Sequence, residues 1–135
     1  DKIWAACDAI RAGAAFYGVN PDWNCPVEDS GWMPDCGSMA KVIEASTGVV
    51  PEFFGKPTHH TLEFILEQTG FRPEELAVIG DRLYTDIALA QDSAVTSILV
   101  LTGEATREDA AVSPTPPDIM VESLAKLRDL LNQLA

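Results

Sequence analysis

Basic residues are scarce in this chain. Its 135 residues carry 9 Lys and Arg against 21 Asp and Glu, a formal net charge of −12. Nucleic acid is bound by clustered Lys and Arg, so this balance argues against it as a partner. It argues equally against an anionic membrane surface. Long apolar runs are missing as well: none approaches the roughly 18 residues that span a bilayer. No secretory signal pattern is visible in these residues. Cysteine is limited to Cys7, Cys25 and Cys36, an odd number without Cys-x-x-Cys. That speaks against a disulfide framework and against structural zinc, and reads as reduced thiols in a cytoplasmic protein. There is no glycine-rich phosphate loop. The chain opens with Asp1-Lys2-Ile3 and not with Met, which reads as a processed chain, a fragment or an incomplete sequence.

What is present is the composition of a globular protein, 47% apolar and 22% charged, long enough for about one domain with a modest core. The excess carboxylate is compatible with a cation site, while most of it reads as solvated surface.

The hydrophobic spacing predicts a helix over 3–12, closed by Gly13, and a short strand within 14–19. Residues 20–31 read as a loop carrying Asp22, Glu28 and Asp29, with Trp23 and Trp32 in or beside it. Such a loop is either a recognition element or a surface loop packed by its tryptophans. Asp35 is placed to cap a helix over 37–47, with Met39, Val42, Ile43 and Ser46 on one face and Gly48 as its stop. An extended stretch follows at 49–54. Next come a helix over 58–69 with Leu62, Ile65 and Leu66 inward and Gly70 as terminator, a strand at 76–80 and a helix over 85–92. The nearly continuous apolar run 96–101 suits a parallel strand covered on both faces. The loop 102–117 has room for one helical turn near 106–110. A short strand at 118–121 precedes an amphipathic helix over 123–134, whose leucines read as core. This alternation implies a doubly wound, mainly parallel, Rossmann-like α/β sheet.

Ligands of such sheets bind beyond the carboxyl ends of the strands, where two sequence features fall. In Val78-Ile79-Gly80-Asp81-Arg82-Leu83-Tyr84-Thr85-Asp86, Gly80 allows a turn without a Cβ clash. Asp81 then emerges at the strand tip and Asp86 in the first turn of the next helix. Two carboxylates so placed can converge on one Mg²⁺. Alternatively, Asp81 is a turn residue and Asp86 a first-turn acid favoured by the helix dipole. In Phe54-Gly55-Lys56-Pro57-Thr58, Pro57 keeps Lys56 out of a helical conformation. A lysine there either neutralises phosphate or crowded carboxylates, or is simply exposed. His59 and His60 are neighbours on a helix, about 100° apart, which favours surface positions over a shared metal. Arg82 and Tyr84 read as packed or solvated residues of the turn.

Lys56 followed by Gly80-Asp81-x4-Asp86 resembles motifs three and four of the haloacid dehalogenase (HAD) superfamily. Phe16-Tyr17-Gly18-Val19-Asn20-Pro21-Asp22, Pro34-Asp35-Cys36-Gly37-Ser38, Gly55-Lys56-Pro57, the Gly80 to Ile87 block and Leu99-Val100-Leu101-Thr102-Gly103 follow in order. Together they look like the NagD-type, or 4-nitrophenylphosphatase-like, branch of hydrolases. The resemblance implies a magnesium-dependent phosphatase of small phosphorylated metabolites that works through an aspartyl-phosphate. It implies that Lys56 steadies the nucleophile and the transferring phosphoryl group, and that Asp81 ligates Mg²⁺. It assigns Asp86 either to a metal-bound water or to orienting Lys56 and Asp81. Asn20 and Asp22 would belong to a substrate-contacting cap domain, the end of which is expected over 1–54. The second half of the core is expected over 55–135.

The family's nucleophile lies in an Asp-x-Asp motif, and none occurs in these 135 residues. Nor is the Ser or Thr of the family's second motif matched. Ala90 and Ala94 stand where its glycines are expected, and Ser30 interrupts a Glu-Asp-Gly stretch. The expectation is therefore the C-terminal portion of a phosphatase, inactive alone, paired with the missing N-terminal half or with a second copy. An apolar strand edge beside Val78 to Gly80 would otherwise be open. The alternative is a non-catalytic α/β interaction or regulatory domain derived from this fold. A receiver-like or nucleotide-binding domain fits the alternation but not Lys56, Asp81 and Asp86 together.

Overall fold

The computed structural model describes residues 1–28 and 31–134. The expectations for Asp29 and Ser30 lie outside the described residues. The chain divides into two compact units, Asp1–Gly55 and Lys56–Ala135.

In the first unit, helix α1 (Lys2–Arg11) buries Cys7 and Ile10. Helix α2 (Cys36–Thr47) buries Gly37 and Ala40. Arg11 Nη2 joins the two helices by donating to the carbonyl and hydroxyl of Ser46, at 2.9 and 3.0 Å. Asp35 caps α2 through a hydrogen bond from the Cys36 amide, and Gly48 ends it in the left-handed conformation. Those signals are local, and they appear as expected. The inward face is rotated from the expected one. Met39 and Val42 are exposed, because the small residues Gly37 and Ala40 take the close approach. Gly37 sits so near the Pro21 and Asp22 carbonyls that any Cβ would collide with them.

Strands β1 (Tyr17–Gly18) and β4 (Glu52–Phe53) pair in parallel. Between them the stretch read as a loop forms an antiparallel hairpin, β2 (Asn24–Val27) with β3 (Gly31–Pro34). Pro26 hid it from pattern reading, but in a two-stranded ribbon both strands are edges, where proline is tolerated. The tryptophans do not pack this segment down, since Trp23 and Trp32 are 52% and 62% exposed. All three cysteines are free thiols.

In the second unit, β5 (Ala77–Gly80), β6 (Thr96–Val100) and β7 (Ile119–Val121) form a parallel sheet in that order. Strand β6 is central and buried from Ser97 to Val100. Side chains alternate across a strand. Leu99 therefore packs with Ile87, Ala105 and Ala110 on one face. Ile98 and Val100 pack with Val121 and Leu127 on the other. Both faces are covered, as the apolar run required.

Helix α3 (His59–Thr69) ends at Gly70, as its sequence indicates, but buries no residue fully. Helix α4 (Arg107–Val112) starts with a reciprocal cap between Thr106 and Asp109. Helix α5 (Leu124–Leu134) anchors through Leu127, while Leu124, Leu130, Leu131 and Leu134 are exposed. The expected core stripe is thus a single anchoring leucine. Strand β5 is also more open than its sequence implied, with Ile79 45% exposed. It has a partner strand on one edge only among the described residues.

Asp118 ties β6 to the start of β7. Its Oδ2 accepts from the Ser97 amide and hydroxyl, both at 2.8 Å. The amide bond, followed by the hydroxyl bond, holds the Asp118 carboxyl below its ordinary pKa. A carboxyl lowered in the folded state adds stability above its unfolded pKa and loses it as pH falls through the folded value. The stability gap between the chain and Asp118→Ala should therefore narrow on acidification through the carboxylate range, as read by urea unfolding at a series of pH values. Leu99 is fully enclosed. Leu99→Ala is expected to cost about 2–5 kcal/mol of unfolding free energy. Leu134→Ala, at an 84% exposed position, should change it by less than about 0.5 kcal/mol. Urea titrations of both variants check this pair.

Candidate functional site

Strand β5 carries Gly80 and Asp81 to the carboxyl end of the sheet. The helix expected over 85–92 begins instead as a π-helical turn, Leu83–Ile87, continued by a 3₁₀ turn, Ala88–Ala90. The amides of Asp86 and Ile87 both donate to the Arg82 carbonyl, at 3.1 Å each. Single wide turns of this kind are often found at functional sites. Here the wide turn brings the Asp86 side chain back towards the strand tip.

Asp86 is 7% exposed. Its Oδ1 accepts from Lys56 Nζ, the ammonium group just ahead of α3. Its Oδ2 accepts from the amides of Asp81 at 3.3 Å and Arg82 at 3.2 Å. Leaving the sheet strands those two amides, and the carboxylate satisfies them. Both Asp86 oxygens are therefore engaged within the protein. Lys56, with its side chain 52% exposed, gives one of its three N–H donors to Asp86. The other two make no hydrogen bond among the described residues.

Asp81 is half-buried. Its Oδ2 accepts from the Glu104 amide at 2.9 Å, and its carbonyl accepts from the Ala105 amide at 3.0 Å. Its Oδ1 makes no hydrogen bond among the described residues. The Arg82 guanidinium meets the Glu104 carboxylate at 2.7 Å, joining the same two segments a second time. Two glycines make the packing possible. A Cβ on Gly80 would collide with the Asp86 side chain, and one on Gly103 with the Asp81 carboxylate.

The structure thus brings Lys56, Asp81 and Asp86 together within the second unit. Asn20 and Asp22 belong to the first unit, where the Asn20 side-chain oxygen accepts from the Asp22 amide at 3.0 Å. The Asp22 carbonyl accepts from the Gly37 amide at 2.9 Å. These bonds shape the segment that meets the start of α2. Tyr84 is 43% exposed on the wide turn. Sequence reasoning missed the part played by residues 103–105. Gly103 stood at the end of a quoted block, but the other contributions are the Glu104 and Ala105 amides. A backbone group leaves no mark in residue type. The Arg82–Glu104 pair could have been sought as opposite charges flanking two strand ends.

A cavity of about 350 Å³ opens at the other end of the sheet, lined by Thr96, Ser97, Asp118, Asp92 and Thr115 among others. It contains none of Lys56, Asp81 and Asp86. Its charged groups are carboxylates without a cation, which is unsuited to phosphate. At the carboxyl end, by contrast, Lys56 has donors from which an anion could accept. Asp81 Oδ1 offers a hard oxygen to a small cation that keeps most of its water.

A family model described as HAD-hydrolase-like matches residues 53–127. An acid sugar phosphatase of Staphylococcus epidermidis is 36% identical over 92% of this chain and 48% of its own length. A 4-nitrophenylphosphatase of Thermotoga maritima superposes with a TM-score of 0.86 at 41% identity, over 94% of this chain and 49% of that one. A glycerol phosphate phosphatase of Mycobacterium tuberculosis, solved in complex with magnesium, superposes with a TM-score of 0.84 at 34% identity. That match covers 93% of this chain and 38% of the other. The chain spans about half the length of the curated relatives it matches. It belongs to the HAD-hydrolase-like family of phosphatases, with the mixed α/β, parallel-sheet fold of their solved structures.

Proposed function

We propose that this chain supplies the lysine and the metal-binding carboxylate of a magnesium-dependent phosphatase acting on small phosphorylated metabolites. The observation that carries the reading is the Lys56–Asp86 pair beside the open oxygen of Asp81. The similarity to an acid sugar phosphatase, a 4-nitrophenylphosphatase and a glycerol phosphate phosphatase supports a phosphate monoester as substrate.

The residues divide the work by what each oxygen and nitrogen touches. Lys56 binds phosphoryl oxygens through its two remaining N–H donors and offsets their charge. At about 4 Å such a pair gains roughly 4 kcal/mol at an effective dielectric near 20. Asp86 is a positioning residue: it aims the ammonium and holds the turn. Asp81 Oδ1 is the direct ligand for Mg²⁺, and its other oxygen is held in place by the Glu104 amide. When bound, Mg²⁺ supplies charge neutralisation on the transferring phosphoryl group. The first unit is assigned to the end of the cap, and Asn20 and Asp22 to substrate contact. The attacking carboxylate, which would carry the aspartyl-phosphate, is not among these 135 residues, since they contain no Asp-x-Asp.

The purified chain with Mg²⁺ and 4-nitrophenyl phosphate is accordingly expected to show no turnover above buffer. Turnover that Lys56→Ala or Asp81→Ala abolishes would overturn the assignment of the nucleophile. In calorimetric titration with MgCl₂, Asp81→Asn is expected to weaken binding at least tenfold, about 1.4 kcal/mol. Lys56→Ala should leave that binding in place.

The outer edge of β5, with Ile79 exposed, is proposed to receive the strand that carries the nucleophile. A bare strand edge is a template for pairing, so the chain alone should sediment as self-associated species. A well-folded monomer at micromolar concentration would refute this.

A further inference from the structure

Three side chains at the start of α3 have no part in the site described above, and they converge. His59, His60 and Glu63 each offer a ligand atom, and these atoms all lie within 4.8 Å of one another. We propose that they form a second cation site, selective for a borderline transition-metal dication such as Zn²⁺ and distinct from the oxygen site at Asp81.

Adjacent helical residues normally point about 100° apart. Here the two imidazole rings lie with centroids 4.0 Å apart and planes inclined by 40°. The cause is position. Thr58, ahead of the helix, is extended, and His59 is the first helical residue. No preceding helical turn restricts its side chain, so the ring is free to lean over its neighbour. Glu63 is one turn on from both, at i+4 and i+3, on the same face. His60 Nδ1 and Glu63 Oε2 are 3.8 Å apart. That is too long for a direct hydrogen bond and close to the spacing of two ligands on one ion. Ligands about 2.1 Å from a tetrahedral Zn²⁺ are roughly 3.4 Å apart. The widest separation therefore has to close by at most about 1.4 Å, and His59 and Glu63 are exposed, with freedom to do so.

Ligand type decides the metal. Two imidazoles and one carboxylate favour Zn²⁺, Ni²⁺ or Cu²⁺, whereas Mg²⁺ prefers oxygen and keeps its water. The second unit would then sort two classes of cation: a hard ion at Asp81 and a borderline ion on α3. The positive end of the helix dipole opposes a cation here, by roughly fivefold in affinity per unit charge. The net charge of −12 works the other way, raising the local concentration of cations.

The test is titration of the purified chain with Co²⁺, followed by visible absorption, and with Zn²⁺, followed by calorimetry. One equivalent should bind with a micromolar Kd. The Co²⁺ spectrum should lack a thiolate charge-transfer band, which separates this site from the three cysteines of the first unit. His59→Ala, His60→Ala and the near-isosteric Glu63→Gln should each weaken binding tenfold or more. Circular dichroism reports whether the helix is retained in each. Asp81→Asn should leave Zn²⁺ binding unchanged while removing the Mg²⁺ response, so that the two assignments fail separately. Absence of saturable binding, equal affinity in all three variants, a thiolate band, or loss only in Asp81→Asn would each overturn the proposal.

Discussion

The buried carboxylate of Asp86 is the contact on which the rest of the site depends. Burying a charge is costly unless donors surround it. Asp86 has three, the Lys56 ammonium and the amides of Asp81 and Arg82. The dependence runs in both directions. Without the carboxylate, two amides at the end of β5 lose their acceptor and the lysine loses the contact that aims it. Without the lysine, the carboxylate keeps two amides but loses its counter-charge. The wide turn belongs to the same arrangement. With the amides of both Asp86 and Ile87 returning to the Arg82 carbonyl, residue 86 faces back to the strand it has just left. Beneath it, Ile87 packs against Leu99 in the core. The charged and apolar sides of one five-residue turn thus fix each other.

Asp81 is held by a different route, through the loop after β6. The Glu104 amide, the Ala105 amide and the Arg82–Glu104 pair connect two segments that come together only because β5 and β6 are neighbours in register, with Gly80 opposite Leu99. Gly80 and Gly103 then have one explanation. Each leaves out a Cβ where a functional carboxylate has to sit. A methyl group at either position would push aside Asp86 or Asp81 respectively. A substitution in the loop would therefore act on Asp81 from the neighbouring strand end.

Much of this was legible from residue type. Helix ends marked by Asp35, Gly48 and Gly70 appear where their local chemistry puts them, since a cap involves neighbours in sequence. The buried run from Ser97 to Val100 was readable because a strand covered on both faces needs an unbroken apolar stretch. Lys56, Asp81 and Asp86 could be singled out because the strand-turn-helix order sends them to one end of the sheet. The failures share a different cause. The antiparallel pair Asn24–Val27 and Gly31–Pro34 rests on cross-strand contacts, and Pro26 breaks the pattern that signals it. The wide turn at 83–87 is marked by backbone bonds to the Arg82 carbonyl and accompanied by the Asp86 carboxylate returning to the Asp81 and Arg82 amides, which hydrophobic period does not register. The inward face of α2 is set by Gly37 and Ala40, residues too small to weigh in a count of apolar positions. The leucines of α5 formed a convincing stripe, yet only Leu127 reaches the cluster around Val121.

Charge explains why a phosphate site in this chain would call for a cation beyond its lysine. The cluster at the carboxyl end of β5 holds one ammonium and two carboxylates, so by itself it is net negative. The neighbouring Arg82 is matched by Glu104, and the chain as a whole carries a net charge of −12. A phosphate dianion approaching Lys56 meets an ammonium already shared with Asp86 and the field of Asp81 beside it. A dication on Asp81 reverses the sign of the cluster, after which the two remaining donors of Lys56 act with the field and not against it. On the proposed reading, Lys56 and Asp81 would in that sense work as a single device.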